Sequence, residues 1–390
     1  MTHETLGDFA PACRSLGQYI AQDVVPFERE HGLKWDTAPP TGLRREVRLH
    51  SRQAGFYAPD MPLEAGGQGL SFVGRCALEM ELHSHDTVFF EDVLGGGCGP
   101  TPVLLKGTMH QQERFLLPLV AGETTTCLAL SEPDAGSDAS ALRTTAVRTN
   151  GGFLLNGTKN IVSNGPHADF AMVFAVVQGN AGREGVTCFL VDASADGYGR
   201  GRDHTCMGFT GYQGELSFQD CRLTIDDVLG DVGQGLKLAM EWINPNRIRT
   251  AAMATGISRG LLRRTTSFAL SRTQFGSPIA GFQAIQFKLA DMATEIVAAE
   301  GLVERAARAK DDGQDIRKLS SMAKLYASEM VNRHAFEAIQ VHGGAGCLQE
   351  TGVERIYRMV RILTILEGTS EMQRLTIAER TLKDARLHAS

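Results

Sequence analysis

Apolar residues at Ile285, Leu289, Met292, Ile296, Ala299 and Val303 recur at spacings of 4, 3, 4, 3 and 4, which draws a single stripe along one long helix. A second stretch sets small residues at Ala251, Ala252, Ala254, Gly256 and Gly260, so another helix can come close there. From Leu6 to about Gly122 apolar positions also fall three and four apart, broken at Ala38-Pro39-Pro40 and at Ala65-Gly66-Gly67-Gln68-Gly69. The first third therefore reads as helical. After Gly122 the period changes. Short apolar runs, Ala171 to Val177 and Val186 to Val191, alternate with the turn signals Asn150-Gly151-Gly152 and Asn164-Gly165-Pro166. This middle region reads as a compact β domain ending near Asp231, and beyond Gly233 the helical period returns. The pattern predicts an α+β protein: a helical domain over 1–124, a β domain over 125–235 and a second helical domain over 236–390, with no internal repeat.

Composition narrows the class. A chain of 390 residues, 43% hydrophobic and 22% charged, can bury a large core and matches an ordinary soluble globular protein of two or three domains. Its net charge of -6 and the lack of a long basic run point away from nucleic acid, and the cluster Arg44, Arg45, Arg48 and Arg52 reads as a solvated helix face. Glu4 and Asp8 stand where a secretory leader would carry basic and apolar residues, and no window is long and apolar enough for a membrane span, so a cytoplasmic location is expected. Cys13, Cys76, Cys98, Cys127, Cys188, Cys206, Cys221 and Cys347 show no C-x-x-C spacing. They read as buried thiols rather than zinc ligands or a disulfide framework.

Two segments carry candidate chemistry. Glu367 follows the aliphatic residues Ile362, Leu363, Ile365 and Leu366 and precedes Gly368, Thr369, Ser370 and Glu371. Burial among aliphatics raises a carboxylate's proton affinity, as a general base requires, and Gly368 would let a substrate carbonyl approach the backbone N–H groups. The competing reading is a structural carboxylate tied to Arg361 or Arg374. The second segment, Leu128 to Asp138, begins as a strand and ends in a loop rich in hydroxyls and small residues that can turn donors toward a phosphate or a ring edge. Neither Gly95-Gly96-Gly97-Cys98-Gly99 nor Gly343-Gly344-Ala345-Gly346 matches G-x-G-x-x-G, which disfavours a nicotinamide dehydrogenase of the Rossmann class.

Leu130-Ser131-Glu132-Pro133-x-Ala135-Gly136-Ser137-Asp138 resembles the first signature of the acyl-CoA dehydrogenase family, flavoproteins that oxidise the Cα–Cβ bond of acyl thioesters. Further resemblances follow in the family's order: Asn156-Gly157-x-Lys159 through Ser163-Asn164-Gly165, then Arg272-Thr273-Gln274-Phe275-Gly276 with Phe282-Gln283-Ala284-Ile285-Gln286, then Gln340-Val341-His342-Gly343-Gly344, and finally Glu367 to Arg374. The resemblance covers essentially the whole chain. It implies a helical N-terminal domain, a barrel-like central β domain, a C-terminal four-helix bundle and FAD as cofactor. Leu130 and Ser131 would lie at the isoalloxazine, Ser137 near the pyrophosphate and the thioester, and Ser163 near flavin N5, with Leu128, Gly136 and Ile161 also among the cofactor-binding residues. Arg272, Gln274 and Phe275 would hold the diphosphate and adenosine of a neighbouring subunit's FAD, with Gln340, Gly343 and Gly344 also contacting across that interface, and Gln283 would also bind the cofactor. Thr369 and Glu371 would reach the cofactor of their own chain.

Glu367 matches the family's catalytic base, which takes the α-proton while a hydride leaves the β-carbon and so forms a trans-2-enoyl thioester. Its backbone N–H would help polarise the thioester carbonyl. Some relatives carry the base on the helix after the β domain; the matching residue here is Asn246, which leaves Glu367 as the one candidate. Arg247 and Asn244 would lie beside the substrate. Ile161 replaces a Trp that usually walls the flavin, and Met359 replaces an Asp, departures that bear more on substrate and pathway than on flavin binding. The resemblance implies acyl-CoA or an acyl carrier protein as substrate carrier, an electron-transfer flavoprotein or oxygen as acceptor, and a homo-oligomer, a tetramer or at least a dimer. A flavin oxidase or monooxygenase on the same fold, and a non-catalytic acyl-thioester binder, are the alternatives; Glu367 argues against the first, and Glu367, Ser137 and Arg272 together argue against the second.

Overall fold

The computed structural model describes residues 4–36, 38–179, 185–207 and 209–389. Along the chain the helices α1 (Ala10–Tyr19), α2 (Val25–Glu30), α3 (Thr41–Gln53), α4 (Phe72–Ser84), α5 (Met109–Gln111) and α6 (Leu117–Val120) come first. Strands β1 (Thr126–Ala129), β2 (Thr145–Thr149), β3 (Gly152–Ser163), β4 (Phe170–Val177), β5 (Val186–Asp192), β6 (Tyr198–Cys206), β7 (Phe209–Thr224) and β8 (Val228–Leu229) follow. Then come α7 (Gly235–Ser271), a hairpin of β9 (Thr273–Gln274) and β10 (Ser277–Pro278), and helices α8 (Gln283–Asp311), α9 (Arg317–His342), α10 (Val353–Val360) and α11 (Ser370–Ala389). The change of hydrophobic period near Gly122 and its return after Gly233 therefore mark real changes of secondary structure.

Two prolines leave a signature the periodicity does not show. π-helical turns at Ile20–Val24 and Gln112–Leu116 join α1 to α2 and α5 to α6, and each ends two residues before a proline, Pro26 or Pro118. Proline has no N–H to donate, and widening the preceding turn lets the helix continue past it.

The chain forms two compact units: Met1–His31, Ser71–Thr87 and Asn244–Ser390 make one, and Gly32–Leu70 with Val88–Ile243 make the other. In the helical unit, Gly256 and Gly260 face the backbone of α4 so closely that an added Cβ would stand 2.3 Å from the Met80 carbonyl oxygen and 2.7 Å from that of Ser84. The small-residue series is thus a close helix crossing. The stripe on α8 is buried at Met292, Ile296, Ala299 and Val303. At the start of α4 the Asp311 carboxylate accepts the Phe72 and Val73 N–H groups at 2.8 and 3.0 Å, and Ser71 Oγ accepts from Gly74 at 3.1 Å. Three orphan donors of the helix are satisfied there.

The other unit is built on a sheet ordered β6-β7-β3-β2-β4-β5-β8, with β1 pairing parallel to the first half of β4. Alternation along β4 divides its side chains between two cores. Phe170, Met172 and Phe174 pack with Phe115, Leu116 and Leu119, while Ala171, Val173 and Ala175 pack with Phe153, Phe189 and Val191. The Asn150-Gly151 turn joins β2 to β3 in the register Thr149↔Gly152.

The arginine cluster differs from the expectation of a solvated face. Arg44 and Arg48 are buried, and Asp92 accepts from Arg44 Nε at 3.0 Å and from Arg48 Nη1 at 2.9 Å; Arg45 and Arg52 alone face solvent. The thiols also divide: Cys76, Cys98, Cys127, Cys188 and Cys221 are buried, Cys13 and Cys206 half-buried and Cys347 exposed. Among the described residues no helix is long and apolar enough to cross a membrane, and no group of His, Cys, Asp or Glu could hold a metal ion.

Candidate active site

Glu367 sits in a turn between Thr364 and the start of α11, at φ +56°, with Gly368 following at φ +92°. Two consecutive left-handed residues, one of them not glycine, make a strained turn that persists only if its surroundings hold it. Its two carbonyls are held from three helices. Arg247 Nε on α7 donates to the Glu367 oxygen at 3.0 Å, Lys324 Nζ on α9 to the Gly368 oxygen at 2.8 Å, and Gln373 Nε2 on α11 to both, at 3.0 and 2.8 Å. Arg247 Nη1 reaches Asn244 Oδ1 at 3.1 Å and Ser321 Oγ at 3.4 Å. These contacts bring Asn244, Arg247, Glu367 and Gly368 together.

The carboxylate itself has no hydrogen bond or ion pair among the described residues. Neither Arg361, which donates to Thr364, nor Arg374, which pairs with Glu329 at 3.3 Å, neutralises it, so the structural reading has no counter-ion. Burial pushes its pKa up to about 7, against the opposing charges of Arg247, Lys324 and Arg249. Such a carboxylate exchanges a proton near neutral pH. Burial also lowers the pKa of Arg247, and it pushes the Lys324 ammonium down to about 8.

Asn246 is committed elsewhere, its Oδ1 accepting from Arg249 Nη1 at 3.0 Å. Arg249 in turn reaches Glu79 Oε1 at 2.8 Å, where Arg75 Nη2 also binds at 2.7 Å. Burial raises the proton affinity of Glu79, but the two guanidiniums win and hold it well below the ordinary carboxylate value. It is a spectator anion, unsuited to accept protons.

In the sheet-based unit the loop after β1 is fastened to β3. Lys159 Nζ donates to the Leu130 carbonyl at 3.0 Å and to Glu132 Oε1 at 2.7 Å, and the Asn160 N–H donates to the Ser131 carbonyl at 2.9 Å. Leu130 and Ser131 therefore lie alongside Lys159 and Asn160, next to Ile161. Between Lys159 and Val162 the strand carries one residue more than its partner β7, opposite Leu216 and Gly214, and Ile161 in this bulge takes φ +55° with 60% of its surface exposed. Asn160 Oδ1 accepts the Ile161 N–H at 2.9 Å and stands 2.7 Å from His204 Nε2. The hydroxyls of Ser131, Ser137 and Ser163 face solvent, as does Gly136, and Leu128 is half-buried on β1.

The remaining candidates lie in the helical unit. Phe275 and Gly276, at φ +51° and +81°, form the two-residue turn of the β9–β10 hairpin, and the Phe275 side chain is 96% exposed. Arg272 is exposed and pairs with no carboxylate among the described residues; Gln274, Gln283 and Gln340 are also exposed. Gly343 ends α9 at φ +57°, and a Cβ added at Gly343 or Gly344 would meet nothing within 4 Å. Thr369 accepts the Met372 N–H at 3.4 Å in the first turn of α11, where Glu371 is exposed.

Sequence reasoning passed over Lys324 and Gln373, both completely buried and both bound to the Glu367–Gly368 turn. A signal for Lys324 exists: it is a lone cation in the run Ser320-Ser321-Met322-Ala323-Lys324-Leu325.

Three family descriptions match consecutive parts of the chain: "Acyl-CoA dehydrogenase, N-terminal domain" over residues 14–123, "middle domain" over 127–221 and "C-terminal domain" over 233–382. The chain is 37% identical over 370 residues to the caffeyl-CoA reductase-Etf complex subunit CarC of Acetobacterium woodii, covering 93% of this chain and 97% of that one. It is 38% identical over 346 residues to the human mitochondrial short-chain specific acyl-CoA dehydrogenase, covering 85% and 81%. The structure of butyryl-CoA dehydrogenase from Megasphaera elsdenii superposes with a TM-score of 0.85 at 31% identity, covering 98% and 99%.

Proposed function

The chain belongs to the acyl-CoA dehydrogenase family, and on that premise we propose that it oxidises the Cα–Cβ bond of an acyl thioester with Glu367 taking the α-proton. It is a flavin oxidoreductase acting on CH–CH groups, with FAD as cofactor. The observation that carries the reading is the Glu367 carboxylate: unpaired, flanked by cations bound to its turn's carbonyls, and raised by burial to about 7.

The residues present fit a flavin dinucleotide. A 96% exposed Phe275, an Arg272 with no carboxylate partner among the described residues and an open Gly343-Gly344 backbone offer a stacking face, a diphosphate fork and close backbone approach. They would serve a neighbouring copy, with Gln274, Gln283 and Gln340 beside them, so a homotetramer or at least a dimer follows. Ser131, Ser137, Ile161 and Ser163, with Leu128, Leu130 and Gly136, would hold the ring side, and Thr369 and Glu371 the cofactor of their own chain.

When bound, FAD supplies the acceptor for the hydride leaving the β-carbon. The chain's own part is acid–base and positional. Glu367 receives the α-proton on a carboxylate oxygen, and its fixed N–H would donate to the thioester oxygen as negative charge grows there. Arg247 and Asn244 would keep the substrate's reacting end beside it. The carrier is CoA or an acyl carrier protein, and the acceptor an electron-transfer flavoprotein.

Reduction of an enoyl thioester is a second reading, because a carboxyl titrating near 7 is populated in both forms and can equally return a proton to the α-carbon. Anaerobic flavin bleaching by acyl-CoA against bleaching by acyl carrier protein tests the carrier, and re-oxidation of chemically reduced enzyme by an enoyl thioester tests the direction. Glu367→Gln should keep its FAD and lose bleaching; bleaching at the wild-type rate would exclude Glu367 as base.

A further inference from the structure

Lys324 lies on the inward face of α9 with 0% exposure. Its ammonium carries three donors, yet its one acceptor among the described residues is the Gly368 carbonyl at 2.8 Å, and no carboxylate lies within ion-pair reach. Burying a cation without a counter-ion is costly, and an apolar side chain of the same length would fill the space without that cost. The strained turn explains what is gained. Glu367 and Gly368 both hold left-handed conformations, and the carbonyls of the pair are bound by Arg247, Lys324 and Gln373 and by no main-chain donor of the described residues.

Three cations face Glu367: Arg247 and Arg249 from α7, and Lys324 from α9. Their other commitments differ. Arg249 is already paired with Glu79 at 2.8 Å, and Arg247 divides its fork among Glu367, Asn244 and Ser321. Of the charges that act on Lys324 the largest is Glu367, with the Arg247 charge opposing it and Glu329 on its own helix and Glu371 on α11 adding weaker attraction; on Glu367 itself Arg247 acts first and Lys324 second.

We infer that Lys324 is a positioning residue for Glu367: its ammonium holds the Gly368 carbonyl, so the turn keeps the carboxylate in place, and its uncompensated charge keeps that carboxylate in the proton-accepting form. The inference rests on the reading of Glu367 as base. It adds to the site a group that acts through the main chain of the turn, by way of the Gly368 carbonyl.

The test uses FAD-loaded wild type, Lys324→Met and Lys324→Gln, with Glu367→Gln as the reference. Difference infrared titration against Glu367→Gln isolates the Glu367 carboxyl band and needs no substrate. Removing the cation should raise the midpoint of that titration by about one pH unit in both variants, a tenfold gain in proton affinity. Gln keeps a donor for the Gly368 carbonyl and Met does not, so with butyryl-CoA the alkaline plateau of anaerobic bleaching should fall several-fold further in Met than in Gln. An unchanged midpoint in both variants overturns the electrostatic role, and equal plateaus overturn the positioning role. Should Lys324→Met fail to fold, the midpoint in Lys324→Gln decides the first, and a Gln plateau within twofold of wild type supports the second, with a collapse overturning it. Wild-type bleaching by Glu367→Gln would sink the base assignment itself; its inactivity beside unmoved Lys324 midpoints would sink only this inference.

Discussion

Arg247 Nε binds the main-chain oxygen of Glu367 at 3.0 Å, and the carboxylate of the same residue has no hydrogen-bonded partner among the described residues. A guanidinium that clasped the carboxylate would hold its pKa low and make it a poor base. By taking the carbonyl, Arg247 fixes the residue and spares its reactivity.

The rate of flavin reduction should therefore follow the ionised form of Glu367. Below about 7 the carboxylate is increasingly protonated, so single-turnover bleaching should fall about tenfold per pH unit on the acid side. Stopped-flow measurements with acyl-CoA check this, and a flat profile across that midpoint would place the proton acceptor elsewhere.

The same residue should weaken the fold at alkaline pH. Its folded pKa, about 7, stands above the ordinary 4.5, so the native state binds the proton more tightly than the unfolded chain. That stabilisation is complete below 4.5 and is lost as the pH rises through 7. Glu367→Gln, which does not titrate, should melt higher than wild type at pH above about 8, with the difference shrinking toward acid in paired thermal scans.

Lys159→Met should strip Glu132 of its counter-ion. Burial raises the proton affinity of Glu132, but the Lys159 hydrogen bond and charge and the N–H donors of Thr144 and Arg143 win and hold its pKa below the ordinary value. Breaking a buried pair from one side costs about 3–5 kcal/mol, and Glu132→Gln in the same background should recover part of it by denaturant titration. Because the Glu132 carboxylate contributes stability above its unfolded pKa and loses it as pH falls through the folded one, the variant should also show a flatter acid limb.

Ile161→Gly removes a β-branched side chain from φ +55° at a largely exposed site. Relief of that strain should stabilise the protein by roughly 1 kcal/mol in thermal melts. FAD affinity, followed by flavin fluorescence on dialysis, should fall in the same variant if Ile161 is the apolar face kept for the ring. Unchanged affinity would make the strain purely structural.

The stripe on α8 and the small-residue face of α7 were legible in the sequence because helical period and side-chain size act within one element. The arginines of α3 were misread because a buried charge looks like a solvated one until its partner is known, and Asp92 lies 44 residues from Arg48. Glu367 was readable from its aliphatic flanks, but its unpaired state depends on what Arg361 and Arg374 do instead, which only the fold decides. Lys324 escaped for the same reason: its acceptor is a main-chain carbonyl, and every residue has one. Pro26 and Pro118 were visible, yet the π turns before them are answers to a missing donor, and periodicity does not count donors.

The extra residue in β3 makes that strand a text read in two frames. Up to Lys159 the odd-numbered side chains go inward; after the bulge Val162 does, and Ile161 and Ser163 face out. Loss of one residue at positions 160–161 would remove the bulge and restore one-to-one pairing with β7, leaving Val162 inward and Ser163 outward but erasing the projecting left-handed corner at Ile161. A shorter strand would keep both its faces and lose the corner, so a search for altered chemistry here should vary Ile161 while keeping the length of the strand fixed.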